Sequence, residues 1–117
     1  MFNFTLRSVP GLVNQVLSQA GVESGAVDAF LFHQANLFML NHLAKKLKIP
    51  KERFPTNIDR YGNTSSATIP LLVTSDLSAA VLKSRLHVAM AGFGVGYSWA
   101  SAYLPLGPLQ CAETVVL

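Results

Sequence analysis

The sequence is short of charge. Only 13% of its 117 residues are Asp, Glu, Lys or Arg, whereas half are hydrophobic. Globular domains ordinarily carry about 25% charged residues, and small domains need that charge because much of their surface meets water. The hydrophobic content excludes a disordered chain. We therefore predict one folded domain over residues 1–117, with apolar surface that meets another domain or chain.

Cysteine is almost absent as well. Cys111 has no second cysteine with which to form an internal disulfide, which fits a reducing compartment and predicts the cytoplasm. The first residues do not form the long apolar run of a signal peptide, because Asn3, Thr5 and Arg7 follow Met1.

One stretch without a charged residue, 88–106, is nearly as long as a membrane-spanning helix. Three glycines between residues 92 and 96 interrupt it, and the aromatic residues that follow, including Trp99 and Tyr103, favour strand. The pattern therefore predicts two buried strands joined at the glycines and no membrane span.

Positive charge is concentrated in one segment. The net charge is +3, and five of the nine basic residues lie between residues 45 and 53. Two interpretations stay open for this cluster of Lys45, Lys46, Lys48, Lys51 and Arg53: a solvated helix end and turn, or an anion-binding patch. Nucleic acid is not indicated as a partner, because few aromatic residues are interleaved with the basic ones.

Hydrophobic periodicity predicts an α/β fold. Helices alternate with strands and a hairpin follows, which indicates a mixed, mostly parallel sheet with an antiparallel edge hairpin and helices on both faces. In the tail, 107–117, residues 114–117 either add an edge strand or remain unordered. The predicted elements are a helix over 4–20 kinked at Pro10, a strand over 27–33, a helix over 36–48, a short strand over 53–58 weakened by Pro55, a turn over 61–65, a helix over 66–85, and strands over 86–93 and 97–104.

Three short motifs stand at the ends of these elements. They are His33 to Asn36 after the first strand, Gly62 to Ser65 before the third helix, and Gly92 to Gly96 between the last strands. Each alone has an ordinary structural interpretation: a histidine bonded to backbone, a turn in which Thr64 or Ser65 caps a helix, and a glycine-rich hairpin.

Together the motifs indicate a chemistry. A histidine, an amide and exposed backbone N–H groups are what a reaction needs when negative charge grows on a carbonyl oxygen. A metal site is not indicated, because Asp28 falls on the opposite strand face from His33, and His42 and His87 are not at ligand spacing. The sequence has no Gly-x-Ser-x-Gly elbow for a serine nucleophile.

In series, the motifs His-Gln-Ala-Asn, Gly-Asn-Thr-Ser and Gly-Phe-Gly-x-Gly, followed by a strand containing Trp99, resemble the C-terminal half of β-ketoacyl-acyl-carrier-protein synthase III, of the thiolase-like superfamily. The resemblance covers residues 4–104. It implies a longer enzyme of two similar halves, in which the other half supplies a cysteine nucleophile on a helix N-terminus. Cys111 follows the last strand of the family and cannot take that role. The helix predicted over 66–85 would be central, buried against its counterpart.

The resemblance also implies a reaction, a decarboxylating Claisen condensation without a cofactor. The cysteine takes an acyl group from acyl-CoA, and a malonyl thioester on acyl carrier protein loses CO2. His33 and Asn63 would donate hydrogen bonds to the enolate oxygen, and the backbone N–H of Val95 would stabilise the tetrahedral oxyanion. Asn36 and Phe93 would contact the substrate's pantetheine. The geometric expectation is that His33 and Asn63 converge on one polar pocket beside the backbone of residues 94–96.

Two positions depart from the family pattern. Val95 stands where the family often has glycine, and Phe38 where it often has an arginine for carrier docking, which leaves the basic cluster at 45–53 for that task. The implied partners are acyl-CoA, acyl carrier protein, the missing N-terminal half and a second copy of this chain, through its uncovered apolar surface. The rival hypothesis is a non-catalytic module of the same fold that binds an acyl chain or a protein.

Overall fold

The sheet has three strands and mixed pairing. A computed structural model describes residues 2–94 and 97–117. Strand β1 (Ala29–Phe32) pairs parallel with β2 (Leu86–Gly94), which pairs antiparallel with β3 (Ser98–Leu106), in the order β1-β2-β3. The predicted α/β class and the antiparallel edge hairpin are confirmed. No helix in the described ranges is long and apolar enough to cross a membrane.

Two helices cover one face of the sheet. Helix α1 (Phe2–Ala20) contains Pro10 and is followed by Gly21 at φ +71°. Helix α2 (Leu37–Leu47) begins after Asn36 and ends at Lys48, which adopts φ +57°. Their apolar faces form one core with the side chains on that face of the sheet. The core contains Val9, Val13, Leu17, Leu40, Leu43, Phe30, Phe32, Ala89 and Ala91.

The opposite face is covered by the segment predicted as one helix over 66–85. It consists of four pieces: a 3₁₀ turn (Ser65–Ala67), helix α4 (Thr68–Leu71), a π turn (Leu72–Asp76) and helix α5 (Ser78–Lys83). Ser75 Oγ donates to the Leu71 carbonyl within this stretch, and such side-chain bonds compete with the regular helical ladder. Leu72 is fully buried against the sheet, so helices lie on both faces as predicted. The prediction of a single continuous helix was wrong.

The predicted strand over 53–58 is also wrong. Its place is taken by a 3₁₀ turn (Lys51–Arg53), an irregular stretch and the short helix α3 (Ile58–Tyr61). Pro55 has no N–H for a strand ladder, and Phe54 turns inward to pack edge-on against Phe32, with ring centroids 5.1 Å apart. The sheet therefore has one parallel and one antiparallel pairing among the described residues.

Two side chains of the basic cluster donate hydrogen bonds to backbone carbonyls. Lys46 Nζ donates to the Leu6 carbonyl at 2.9 Å, and Arg53 donates to the Gly25 carbonyl at 2.7 Å. These two cations tie α2 and the following turn to neighbouring segments. They therefore have a structural task, whatever Lys45, Lys48 and Lys51 bind.

The tail, residues 107–117, forms neither a strand nor a helix, but it is held against the chain. The Leu109 N–H donates to the Val81 carbonyl at 2.7 Å, and Ser78 Oγ donates to the Ala112 carbonyl at 2.6 Å. Ala112 is buried, whereas the last three residues, 115–117, are exposed. The tail thus covers part of the helical segment that the sequence predicted to face a missing half.

Candidate functional site

An open cavity of about 910 Å³ lies at the carboxyl end of β1. Both His33 and Asn63 line it, and Phe93 and Gly94 at the end of β2 form another part of its wall. The two side chains come from different joins in the chain, separated by 30 residues of sequence. His33 and Asn63 therefore line one cavity, whereas the convergence of their side chains on one oxygen stays a prediction.

His33 is held by backbone, hydroxyl and aromatic contacts. Its N–H continues the β1–β2 ladder by donating to the Ala91 carbonyl at 2.9 Å. Its ring Nδ1 lies 2.8 Å from Thr68 Oγ1, and the ring stands edge-on to Phe93 at 5.3 Å between centroids. The half-buried imidazole has a pKa lowered from its ordinary value of 6.5, because burial penalises the charged form.

We expect His33 to be neutral at pH 7, with a pKa below 6.5 in the folded chain. A pH titration of its ring proton resonances by NMR measures this, and the same titration in denaturant gives the unfolded reference. The folded state binds this proton less readily than the unfolded state. The stability linked to His33 is therefore complete above pH 6.5 and is lost as the pH falls through the lowered folded pKa. A folded pKa at or above the denatured one would contradict this.

Asn63 stands in the turn between α3 and the 3₁₀ turn at 65–67. Its Oδ1 accepts the Ser65 N–H at 3.0 Å, which leaves Nδ2 as the amide group able to donate into the cavity. The residue is exposed in this chain. Within this turn, φ is positive at Gly62 (+69°) and at Ser65 (+57°). The bond from Asn63 to the Ser65 N–H stabilises this turn locally.

The sequence suggested that Thr64 or Ser65 caps the following helix with its side chain, but neither does. The 3₁₀ turn begins after Thr64 without a side-chain cap bond, and Thr64 Oγ1 is buried with no partner in the described structure. The Thr68 hydroxyl lies 3.0 Å from the Ser65 carbonyl oxygen and donates to it when the hydroxyl proton is directed at that oxygen.

Gln34 connects the two sides of the cavity. Its side chain is fully buried; Nε2 donates to the Phe32 carbonyl at 2.8 Å, and Oε1 accepts the Asn57 N–H at 3.0 Å. Asn57 immediately precedes α3, which leads to Gly62 and Asn63. This glutamine therefore fastens the segment that carries Asn63 to the end of the strand that carries His33.

Other predicted site residues fall in different places. Phe93 lines the cavity. Asn36 caps α2 instead, because its Oδ1 accepts the Met39 N–H at 2.7 Å, and Ala35 rather than Asn36 contributes to the cavity wall. Val95 and Gly96 lie outside the described residues, so the oxyanion role of the Val95 N–H stays a prediction.

Sequence reasoning missed several lining residues. Ser65, Thr68 and Trp99 also line the cavity. The hydroxyl-rich stretch after Asn63 was visible in the sequence, but no spacing rule places residue 68 beside residue 33. Trp99 reaches the cavity because it pairs with Phe93 across the hairpin.

The chain is similar to proteins of the family that the three motifs indicated. Residues 17–106 match the family described as "3-Oxoacyl-[acyl-carrier-protein (ACP)] synthase III C terminal". Among curated relatives, the beta-ketoacyl-[acyl-carrier-protein] synthase III of Streptococcus suis (strain 05ZYH33) is 39% identical over 108 residues, which are 91% of this chain and 33% of the relative. The chloroplastic synthase III B of Cuphea wrightii is 37% identical over 92% of this chain and 27% of its own length.

Solved structures agree. The 3-oxoacyl-(acyl-carrier protein) synthase from Burkholderia xenovorans LB400 superposes with a TM-score of 0.95 at 58% identity, covering 97% of this chain and 33% of that one. The β-ketoacyl-[acyl carrier protein] synthase III from Thermus thermophilus gives 0.85 at 35% identity, over 92% of this chain and 34% of that one. The chain thus spans about a third of the length of the proteins it matches.

Proposed function

We propose that this chain, which belongs to the family of 3-oxoacyl-[acyl-carrier-protein] synthase III C-terminal domains, supplies the enolate-stabilising part of a decarboxylating condensation. The substrates are acyl-CoA and a malonyl thioester carried on acyl carrier protein. The observation that carries the proposal is the cavity shared by His33 and Asn63, two neutral hydrogen-bonding side chains from separate joins of the fold.

The chemistry requires donors aimed at one oxygen. When the malonyl thioester loses CO2, the electron pair of the broken C–C bond moves into an enolate, and charge develops on the thioester oxygen. Two preorganised neutral donors stabilise that charge without a competing counter-ion. Burial lowers the pKa of His33 and so keeps its imidazole neutral, while Asn63 offers Nδ2, since its Oδ1 is occupied by the Ser65 N–H.

The enolate carbon then attacks the acyl group on a cysteine thioester and expels the thiolate. Cys111 does not fit that role. It is exposed on a tail held against α5, and it is not among the residues that line the cavity. In our proposal the nucleophile comes from the other half of the enzyme.

Exposed aromatic residues beside the cavity suit contact with that half. Trp99 is 47% exposed and lines the cavity, and Tyr97 is 56% exposed. Phe4 joins them, stacked on Tyr97 at 4.5 Å and edge-on to Trp99 at 5.0 Å. Large exposed apolar groups of this kind mark interaction surfaces. We propose this face for the nucleophile-bearing half, and in its absence for self-association of the chain.

Carrier docking is proposed for the part of the basic cluster whose side chains form no hydrogen bond or ion pair among the described residues. Phe38, 62% exposed, carries no charge to meet an acidic carrier. Lys45, Lys48 and Lys51 remain after Lys46 and Arg53 bind backbone carbonyls. A patch of this sign attracts an acidic protein in a salt-dependent way.

The test uses the chain alone and in a chimaera. In the chimaera, this chain replaces the matching third of the Burkholderia xenovorans synthase, to which it is 58% identical. We expect the chimaera to condense acyl-CoA with malonyl-carrier and the 117-residue chain alone to form no condensation product. Product from the pure chain, or a folded chimaera that forms none, would reject the proposal. The second outcome would favour a non-catalytic binding module.

A further inference from the structure

The hydroxyl of Thr68 lies between two groups. It is 2.8 Å from His33 Nδ1 and 3.0 Å from the Ser65 carbonyl oxygen. Thr68 is only 2% exposed, so water does not compete freely for this hydroxyl. Among the described residues it is the one hydrogen-bonding group recorded for Nδ1.

A hydroxyl has a single proton, so two arrangements are open. In the first, Thr68 donates to Nδ1 and gives up its bond to the Ser65 carbonyl, and the neutral imidazole of His33 carries its proton on Nε2. In the second, Thr68 donates to the Ser65 carbonyl and accepts from Nδ1–H, which leaves Nε2 as a bare acceptor. The Ser65 carbonyl does not need the hydroxyl, because it already accepts the backbone N–H of Thr68.

We propose that Thr68 is the positioning residue of His33: its hydroxyl donates to Nδ1, fixes the tautomer protonated at Nε2, and so presents an N–H to the substrate oxygen. The choice of this arrangement rests on the proposed function, since only the first one makes His33 a donor beside Asn63. Partners of this kind on the far nitrogen of a histidine set both its tautomer and its ring orientation.

The surrounding contacts position this pair. Phe93 stands edge-on to the imidazole, which limits rotation of the ring. Thr68 is the first residue of α4, and Ser65, three residues earlier, is held at φ +57°. That left-handed backbone is uncommon for a residue with a side chain and persists only where its surroundings determine it. The turn therefore places the hydroxyl in one position.

The experiment reads the tautomer directly. Long-range ¹H–¹⁵N spectra of the histidine-labelled chain, recorded above the pKa of His33, show which ring nitrogen carries the proton, and a His33→Gln spectrum assigns the signals. We expect a single species protonated at Nε2. The substitution Thr68→Val keeps the shape and removes the hydroxyl, so this single-tautomer pattern is lost. Thr68→Ser keeps the hydroxyl and retains the pattern.

A proton found on Nδ1 in the unmodified chain would overturn the inference, as would a Thr68→Val spectrum identical to it. If Thr68→Val fails to fold, a proton on Nδ1 in the unmodified or the Thr68→Ser spectrum still rejects the inference. No substrate enters this measurement. An inert chimaera with the proton on Nε2 therefore rejects only the condensation, whereas an active chimaera with the proton on Nδ1 rejects only the role of Thr68.

Discussion

Replacing either His33 or Asn63 with alanine is expected to lower kcat of the chimaera about 10²–10³-fold, the usual loss when one donor to a developing oxyanion is removed. Both side chains line the cavity, and in the proposed mechanism both donate to the same enolate oxygen. The double substitution should therefore cost less than the product of the two single losses, because groups that act as a unit are not additive. Decarboxylation of malonyl-carrier, followed as CO2 release, measures the step.

Two surface substitutions serve as matched controls. His87→Ala removes a half-exposed histidine from the start of β2, next to Asp28. Asn14→Ala removes an exposed asparagine from α1. Each should change kcat by less than about twofold, since exposed positions away from the site have small effects. A loss below tenfold for His33→Ala or Asn63→Ala would contradict the donor roles.

Gln34→Ala is expected to lower the free energy of unfolding by about 3 kcal/mol. The change leaves the Phe32 carbonyl and the Asn57 N–H without their partner in a buried site, and each unsatisfied group costs about 1–3 kcal/mol. It also leaves a cavity, because Gln34 is fully buried. Urea unfolding of the 117-residue chain, followed by circular dichroism, measures the loss.

Gln19→Ala is the control for this prediction, because Gln19 is exposed near the end of α1. Its effect should stay within about 0.5 kcal/mol. If Gln34→Ala costs less than 1 kcal/mol, water or a rearranged loop satisfies the two backbone groups. The bridge would then not be what fastens the Asn63 segment to β1.

The features that the sequence determined by itself depend on neighbouring residues or on a repeating pattern of residues. The apolar stripes of α1 and α2 have helical period, and the glycines mark the hairpin of β2 and β3, so these elements were predicted close to their observed bounds. The three motifs in series indicated the family, which the match over residues 17–106 shows. His33 and Asn63 were also expected to share a pocket, and they line one cavity, although Asn63 follows the short helix α3 and not the predicted strand.

Only the tertiary structure decided the rest, because it depends on partners distant in sequence. A strand exists only when a neighbour pairs with it, and residues 53–58 pack Phe54 on Phe32 instead of pairing. The segment 66–85 takes its four-piece form while packing Leu72 on the sheet. The contact of Thr68 with His33 spans 35 residues, and the bridge from Gln34 to Asn57 spans 23. Side-chain hydrogen bonds between residues so far apart in sequence depend on position in space, and periodicity and propensity along the chain do not encode that position.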